Sequence, residues 1–213
     1  GSDSSDLTVA VMNLLEGRVV DAPLSGSSVF IDLNGNLQQD ADEQSVFTDS
    51  NGYFLLPDTQ GLCSGTGLCD AVVVSTGGLD VATGRDLPNL VLFGISASDT
   101  AFVITPLSSL LLAAEDGEAL LSALGLSVEP EDVTLLDPWE GSQNDLQNAD
   151  DLLRVNQQVS LIIQTTRSLE TESSEATDTT QRVAQEIVAQ SQSGSAVDLT
   201  DRNTVFDVLQ AAT

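Results

Sequence analysis

The chain has 213 residues, 41% hydrophobic and 4% aromatic, enough for one large domain or two small ones around a core of Val, Leu, Ile and Ala. Its formal charge is −27, from 33 acidic residues and 6 basic ones, and every basic residue is an arginine. Such a surface repels phosphate backbones and anionic membranes, which argues against nucleic-acid binding. The absence of histidine excludes Ser-His-Asp and Cys-His catalysis and histidine-ligated zinc. The absence of lysine excludes Schiff-base chemistry and a Lys–Asn isopeptide. What the charge favours is divalent cations and solubility at high salt, where screening relieves self-repulsion. A salt-rich habitat and an ordinary acidic secreted protein fit this equally.

Residues 1–16 read as a leader or linker. The polar opening GSDSSD resembles a mature N-terminus after signal-peptide removal, with or without a lipid anchor. Thr8 to Leu15 is apolar and open between strand and helix. From Gly17 the pattern is β, with Arg18-Val19-Val20 a short strand and Asp21 to Gly26 a turn. Ser28 to Asp32 is the next strand, and it runs into the segment on which the functional reading turns, DLNGNLQQDADE.

Oxygen-bearing side chains stand at the first, third, fifth, ninth and twelfth positions of that segment: Asp32, Asn34, Asn36, Asp40 and Glu43. Ca²⁺ takes six to eight oxygen ligands from a sharply turning chain. The backbone carbonyl of Gln38, at the seventh position, supplies a sixth candidate, and Asp42 is a possible substitute for a neighbour. Clustered carboxylates repel one another, and a cation would remove that repulsion. The glycine lies at position four (Gly35), where the EF-hand pattern has it at six. The competing reading is an Asx-rich turn without metal, because Asn, Asp and Gly also dominate ordinary turns.

Ser45 to Thr48 follows as a strand, then Asp49 to Gly52 as a turn of the Asn-Gly hairpin type leading into Tyr53 to Leu56. Asp49 and Asn51 serve either that turn or a cation. The run from Gly17 to Asp58 resembles the carboxypeptidase-regulatory-like, or B-type, sandwich domains of bacterial surface and adhesin-type proteins. The residues that carry the resemblance are Gly17, Val19 and Asp21, then Asp32, Asn34, Asn36, Asp40 and Glu43, then Thr48, Asp49, Asn51, Gly52 and Tyr53. The resemblance implies an extracellular β-sandwich stiffened by calcium, of the kind used in adhesins, stalks and surface lipoproteins.

Cys63 and Cys69 sit in the small-residue stretch GLCSGTGLCD. A local disulfide is expected there, which implies an oxidising compartment. Closing so short a loop contributes roughly 2 kcal/mol in the chain-entropy model. Two free thiols are the alternative. Ala71 to Ser75 and Leu90 to Ile95 are further strands, and short strands at this spacing suggest an antiparallel sandwich. Between them Gly77, Gly78 and Gly84 read as loop residues, with Asp80 and Asp86 either solvated or minor cation ligands. This stretch and the Val103-Ile104-Thr105-Pro106-Leu107 run are similar to the segment that follows such sandwiches in large secreted proteins of Gram-negative bacteria.

At Pro106 the period becomes helical, with Thr105 as N-cap and Pro106 at the first position. Glu118 to Leu124 is a short helix that Gly125 ends, and Pro130 to Leu136 another turn of helix stopped by Asp137-Pro138. Gly141 to Asn144 reads as a polar loop. Leu146 to Leu169 is the longest helix, with Leu152, Val155, Val159, Ile162, Ile163, Thr166 and Leu169 on one face. Thr171 to Thr180 reads as a loop with Ser174 a candidate cap. Gln181 to Gln190 and Thr200 to Ala212 complete the set. Such apolar stripes ordinarily serve bundle packing.

The expected fold is therefore α+β: a β-sandwich over residues 17–104 and a helical region over 105–213. The expected function is a secreted or cell-surface calcium-binding structural or adhesin-type module, with an unidentified surface ligand or neighbouring domains as partners and no direct membrane span. The alternative is an extracellular ligand-binding lipoprotein that holds a peptide, glycan or small molecule between sandwich and helices. An enzyme is not expected. A carboxylate-based hydrolase is conceivable from so many acidic residues, but no spacing singles out an acid and a nucleophile.

Overall fold

The computed structural model describes residues 13–58, 72–95, 101–170, 176–191 and 195–213. The strands come first: β1 (Asn13–Val19), β2 (Leu24–Ser25), β3 (Ser28–Asp32), β4 (Ser45–Phe47), β5 (Tyr53–Asp58), β6 (Val72–Thr76), β7 (Leu79–Asp80), β8 (Arg85–Asp86), β9 (Val91–Ile95) and β10 (Phe102–Ile104). The helices follow: α1 (Pro106–Ala113), α2 (Gly117–Ala123), α3 (Pro130–Leu135), α4 (Pro138–Gln143), α5 (Ala149–Leu169), α6 (Ala176–Ser191) and α7 (Arg202–Ala212). The fold is α+β, an N-terminal β-sandwich followed by a helical part.

One sheet has the order β4-β3-β6-β9 and is antiparallel throughout. The second has the order β10-β1-β5, with β1 antiparallel to β5 and parallel to β10. A small third sheet has the order β2-β7-β8. Alternation along the strands builds the core. Val29 and Ile31 of β3, Val73 of β6 and Leu92 of β9 pack with Leu15 and Val19 of β1, Phe54 and Leu56 of β5, and Phe102 and Ile104 of β10. Phe30, Val74 and Phe93 point to the opposite face, where Leu112 and Ala113 of α1 and Ala176 of α6 lie against them. The four-stranded sheet is thus covered on both sides, which is why its strands read as unbroken apolar runs rather than alternating ones.

Gly17 shows how tightly the sandwich closes. A Cβ there would stand 2.5 Å from the Phe54 ring and 2.8 Å from the Phe102 carbonyl oxygen. Only the bare backbone leaves room for the edge-on Phe54–Phe102 pair, with centroids 5.8 Å apart and planes at 82°.

Helix α1 joins the two halves. Thr105 and Ser108 form a reciprocal capping box at its start, and Pro106 needs no N–H there. Its first turn is fastened to β9: the Ser108 and Ser109 hydroxyls each donate to the Phe93 carbonyl at 3.1 Å, and Ser109 Oγ accepts from the Phe93 N–H at 2.8 Å. From α5, Asn156 Oδ1 accepts the Leu107 N–H at 2.9 Å. The other face of α1, Leu107 and Leu110, enters the helical core with Leu120, Leu152, Val155, Val159, Val183 and Ile187.

Several elements differ from the sequence reading, among them the short strands β2, β7 and β8, which lie in stretches read as turn or loop. The first strand begins at Asn13, four residues before Gly17, because Asn13 to Glu16 pair with Asp58 to Leu55 of β5. The Asp49–Gly52 turn does not join two paired strands: β4 pairs with β3 and β5 with β1, so the turn carries the chain from one sheet to the other. Gly141 to Gln143 is helical, not a loop, because Asp137 caps α4 by accepting the Glu140 N–H and Pro138 opens it. Residues 176–180 belong to α6, with the Thr180 hydroxyl bonded back to the Ala176 carbonyl, and Ser174 lies outside the described residues.

Candidate functional site

The Asp32–Glu43 segment connects β3 to β4, and its hydrogen bonds are made almost entirely within itself. Asp32 is buried and accepts three backbone N–H groups: Asn34 (3.2 Å) and Gly35 (2.7 Å) on Oδ1, and Leu37 (2.8 Å) on Oδ2. Glu43, also buried, accepts Leu33 N–H on Oε1 (2.7 Å) and Asp40 N–H on Oε2 (2.9 Å). Asp40 Oδ2 receives two carboxamide donors, Asn34 Nδ2 at 2.7 Å and Asn36 Nδ2 at 2.9 Å. The amide oxygens of Asn34 and Asn36 accept from the N–H two residues on, Asn36 and Gln38. Gln38 and Asp42 are exposed.

The backbone of the loop explains the displaced glycine. Gly35 has φ +78° and Leu37, at position six, has φ +54°. The left-handed turn that the pattern assigns to position six is present, but a leucine makes it. The strain, about 1–2 kcal/mol for a residue with a Cβ, is offset by burial of the Leu37 side chain beside Phe30, Val74 and Phe93.

Comparison with known protein families, with curated proteins and with solved structures returns no match.

The structure brings together Asn34, Asn36 and Asp40 and holds Asp32 and Glu43 against the backbone of the same loop. It does not gather the three carboxylates at one point: among the described residues no group of three or more His, Cys, Asp or Glu is arranged to hold a metal ion. The repulsion expected between Asp32, Asp40 and Glu43 is met here by N–H donors. The donor chemistry nevertheless fits a hard cation, since all five side chains and the Gln38 carbonyl offer oxygen, and no nitrogen or sulfur ligand competes. These are the residues that would hold Ca²⁺, which would supply positive charge in place of the inward-turned carboxamide N–H groups.

Other expected residues have structural partners. Asp49 Oδ1 accepts the N–H of Asn51 (2.8 Å) and of Tyr53 (3.0 Å), and Gly52 at φ +83° passes beneath the Val19 carbonyl. Asp80 caps the β7–β8 turn by accepting from the N–H of Ala82 and Thr83 and from the Thr83 hydroxyl. Asp86 is exposed. Cys63 and Cys69 lie outside the described residues.

Two polar clusters at the β–helix junction escaped the sequence reading. Arg18, 7% exposed, donates from Nε to the Asn51 carbonyl (2.7 Å) and from Nη1 to Asp137 Oδ2 (2.5 Å), while Glu140 Oε2 stands at 3.4 Å. Its guanidinium lies 4.6 Å from the centre of the Tyr53 ring, whose hydroxyl donates to Glu140 (3.1 Å). This clamp ties β1 and β5 to the start of α4. In the second cluster, Asp21 accepts from the Ser160 hydroxyl of α5 (2.5 Å), and Gln164 donates to Ser160 Oγ (2.8 Å). Burial raises the Asp21 pKa to about 6; the Ser160 hydrogen bond opposes the shift and the charge of Asp80 adds to it. The only signals in sequence were a charged residue inside a strand (Arg18) and an Asp-Pro helix start (Asp137-Pro138).

Proposed function

We propose that the protein is a calcium-binding structural module of a secreted or cell-surface bacterial protein, adhesin-like in role, in which the cation stiffens the β3–β4 connection of the sandwich. The observation that carries this reading is the loop itself: five oxygen-bearing side chains at calcium-loop spacing, each hydrogen-bonded within one connection, with a left-handed turn at position six. The strongly acidic composition and the resemblance of Gly17 to Asp58 to B-type sandwich domains support it. Stiffening would reach beyond the loop, because Leu37 packs in the layer that α1 and α6 cover. Among the described residues no helix is long and apolar enough to cross a membrane.

The test is thermal unfolding in EGTA and in millimolar Ca²⁺, beside calcium titration calorimetry. A ligand that binds only the folded state raises stability by about 2.7 kcal/mol at a hundredfold excess over Kd. Calcium should therefore raise the wild-type Tm by several degrees. The rise should vanish in Asp40→Ala, which spares the backbone hydrogen bonds of Asp32 and Glu43. Identical melts in both buffers, with no heat of binding, would leave the loop as a metal-free turn.

A second reading is favoured by a groove of about 620 Å³ between the β8–β9 loop and α5: a small ligand held at the junction of sandwich and helices.

A further inference from the structure

The groove at the junction is unusual for its charge. Three of the chain's six arginines are paired with carboxylates: Arg18 with Asp137 and Glu140, Arg154 with Asp151, and Arg182 with Glu170. Arg85, Arg167 and Arg202 have no ion pair among the described residues, in a chain with 33 acidic side chains to choose from. Two of these three, Arg85 and Arg167, line the same groove, and among the described residues that line it Asp86 is the one carboxylate. On a protein of net charge −27, this places a local surplus of positive charge in a concave site.

The two guanidiniums differ in how they are held. Arg167, half-buried on α5, donates from Nη1 to the Asn89 carbonyl at 3.3 Å, so it is anchored across the groove with other N–H groups uncommitted. The Arg85 guanidinium has no hydrogen-bond partner among the described residues; only its backbone is bonded, the N–H to Thr83 Oγ1 at 3.3 Å. Between them the wall is apolar and amide-bearing: Leu161 is 60% exposed on α5, and Gln164 is fixed to Ser160. Among the described residues no aromatic side chain lines the groove, so none of them offers a platform for stacking a sugar ring.

We propose that this groove binds a small organic carboxylate, its anionic group held by Arg85 and Arg167 and its apolar body laid against Leu161. Planar guanidinium groups match a carboxylate through paired N–H···O bonds. Two arginines line the groove beside one carboxylate, Asp86, and Glu170, itself paired with Arg182, also acts on Arg167, so the modest local charge suits a monoanion better than a doubly charged phosphate. The exposed leucine selects an anion with an apolar body, which inorganic oxyanions lack. This inference deepens the ligand-binding reading of the same groove and is independent of calcium.

The test is a ¹⁵N NMR titration of the full chain at fixed ionic strength with three probes: octanoate, sulfate and octyl glucoside. Octanoate should shift the amide signals of Asn89, Gln164 and Arg167 saturably, at millimolar concentration. Arg85→Gln removes a side chain without partners in the fold and should weaken that binding about tenfold, while Arg85→Lys should recover part of it. The proposal is overturned if octanoate gives no saturable shift, if Arg85→Gln binds it as tightly as the wild type, or if sulfate binds equally well. Saturation by octyl glucoside in place of octanoate would leave the groove as a ligand site and remove the carboxylate. No saturation by any of the three probes would remove both.

Discussion

Asp32 and Asp21 are both carboxylates of the sandwich withdrawn from water, and their surroundings treat them in opposite ways. Asp32 is enclosed by its own loop, which turns three backbone N–H groups onto it. Asp21 is enclosed by a packed helix, which offers one hydroxyl, from Ser160, and leaves Asp80 close enough to repel it. A local loop can bend until its donors point at the charge. A helix delivers whatever side chain its register puts there. What decides whether a buried carboxylate strengthens the fold at neutral pH is therefore the number of donors that reach it, more than the depth of burial.

Removing the first carboxylate should have the largest effect. Asp32→Ala strips the acceptor from three N–H groups and lets the Asn34–Leu37 backbone go, and is expected to lower stability by roughly 3–4 kcal/mol in urea unfolding. A loss below about 1 kcal/mol would mean that the N–H cradle holds little, and the contrast with Asp21 would collapse.

The opposite sign is expected at Asp21. Its folded pKa, about 6, lies above the 3.8 of an ordinary aspartate, so the folded state holds a proton that the unfolded chain has already lost. That contribution is fully present below pH 4 and is lost as pH rises through 6, a change of up to about 3 kcal/mol. Asp21→Asn should consequently stabilise the protein at pH 7.5 by an amount approaching that figure, and the gain should shrink to nothing near pH 4. General acid–base repulsion in so acidic a chain has the same sign, so the diagnostic quantity is the difference between wild type and variant at each pH. A pH-independent difference would show that Asp21 does not titrate in this range.

The Arg18 clamp sharpens the comparison at smaller amplitude, because it offers one cation to two carboxylates of unequal burial. The Asp137 side chain is 17% exposed and that of Glu140 57%. Asp137→Ala removes both the near ion pair and the α4 N-cap and should cost about 2 kcal/mol. Glu140→Gln should cost less than about 0.5 kcal/mol, as solvent screens the longer contact. Equal losses in paired denaturation curves would contradict the burial argument.

Much of this molecule is legible in its sequence where the information is local. The Asp-x-Asn-x-Asn spacing announces a turning, oxygen-rich loop, and Thr105-Pro106 announces the start of α1 because capping needs only neighbours. The strands SVFID, AVVVS and LVLFGI can be read from apolar content. Their burial on both faces cannot, since it depends on α1 and α6 arriving from far along the chain. The loop residues were legible as a set, but their hydrogen bonding was not. Spacing alone does not tell whether Asn34 and Asn36 offer oxygen or N–H to Asp40. The Gly141–Gln143 helix reads as a loop in sequence because a glycine and two polar residues outweigh the cap and proline that begin it.

By itself the sequence determined the class of the fold, the acidic surface, the exclusion of histidine and lysine chemistry, and the loop that is the candidate for calcium. Each of these follows from composition or from residues within a few positions of one another. Only the tertiary structure decided that Arg18 clamps Asp137, that Asp21 is half-buried under Ser160, and that Arg85 and Arg167 line one groove. Those residues are far apart in sequence, and their pairing depends on how α4 and α5 pack against the sandwich, which no local pattern encodes.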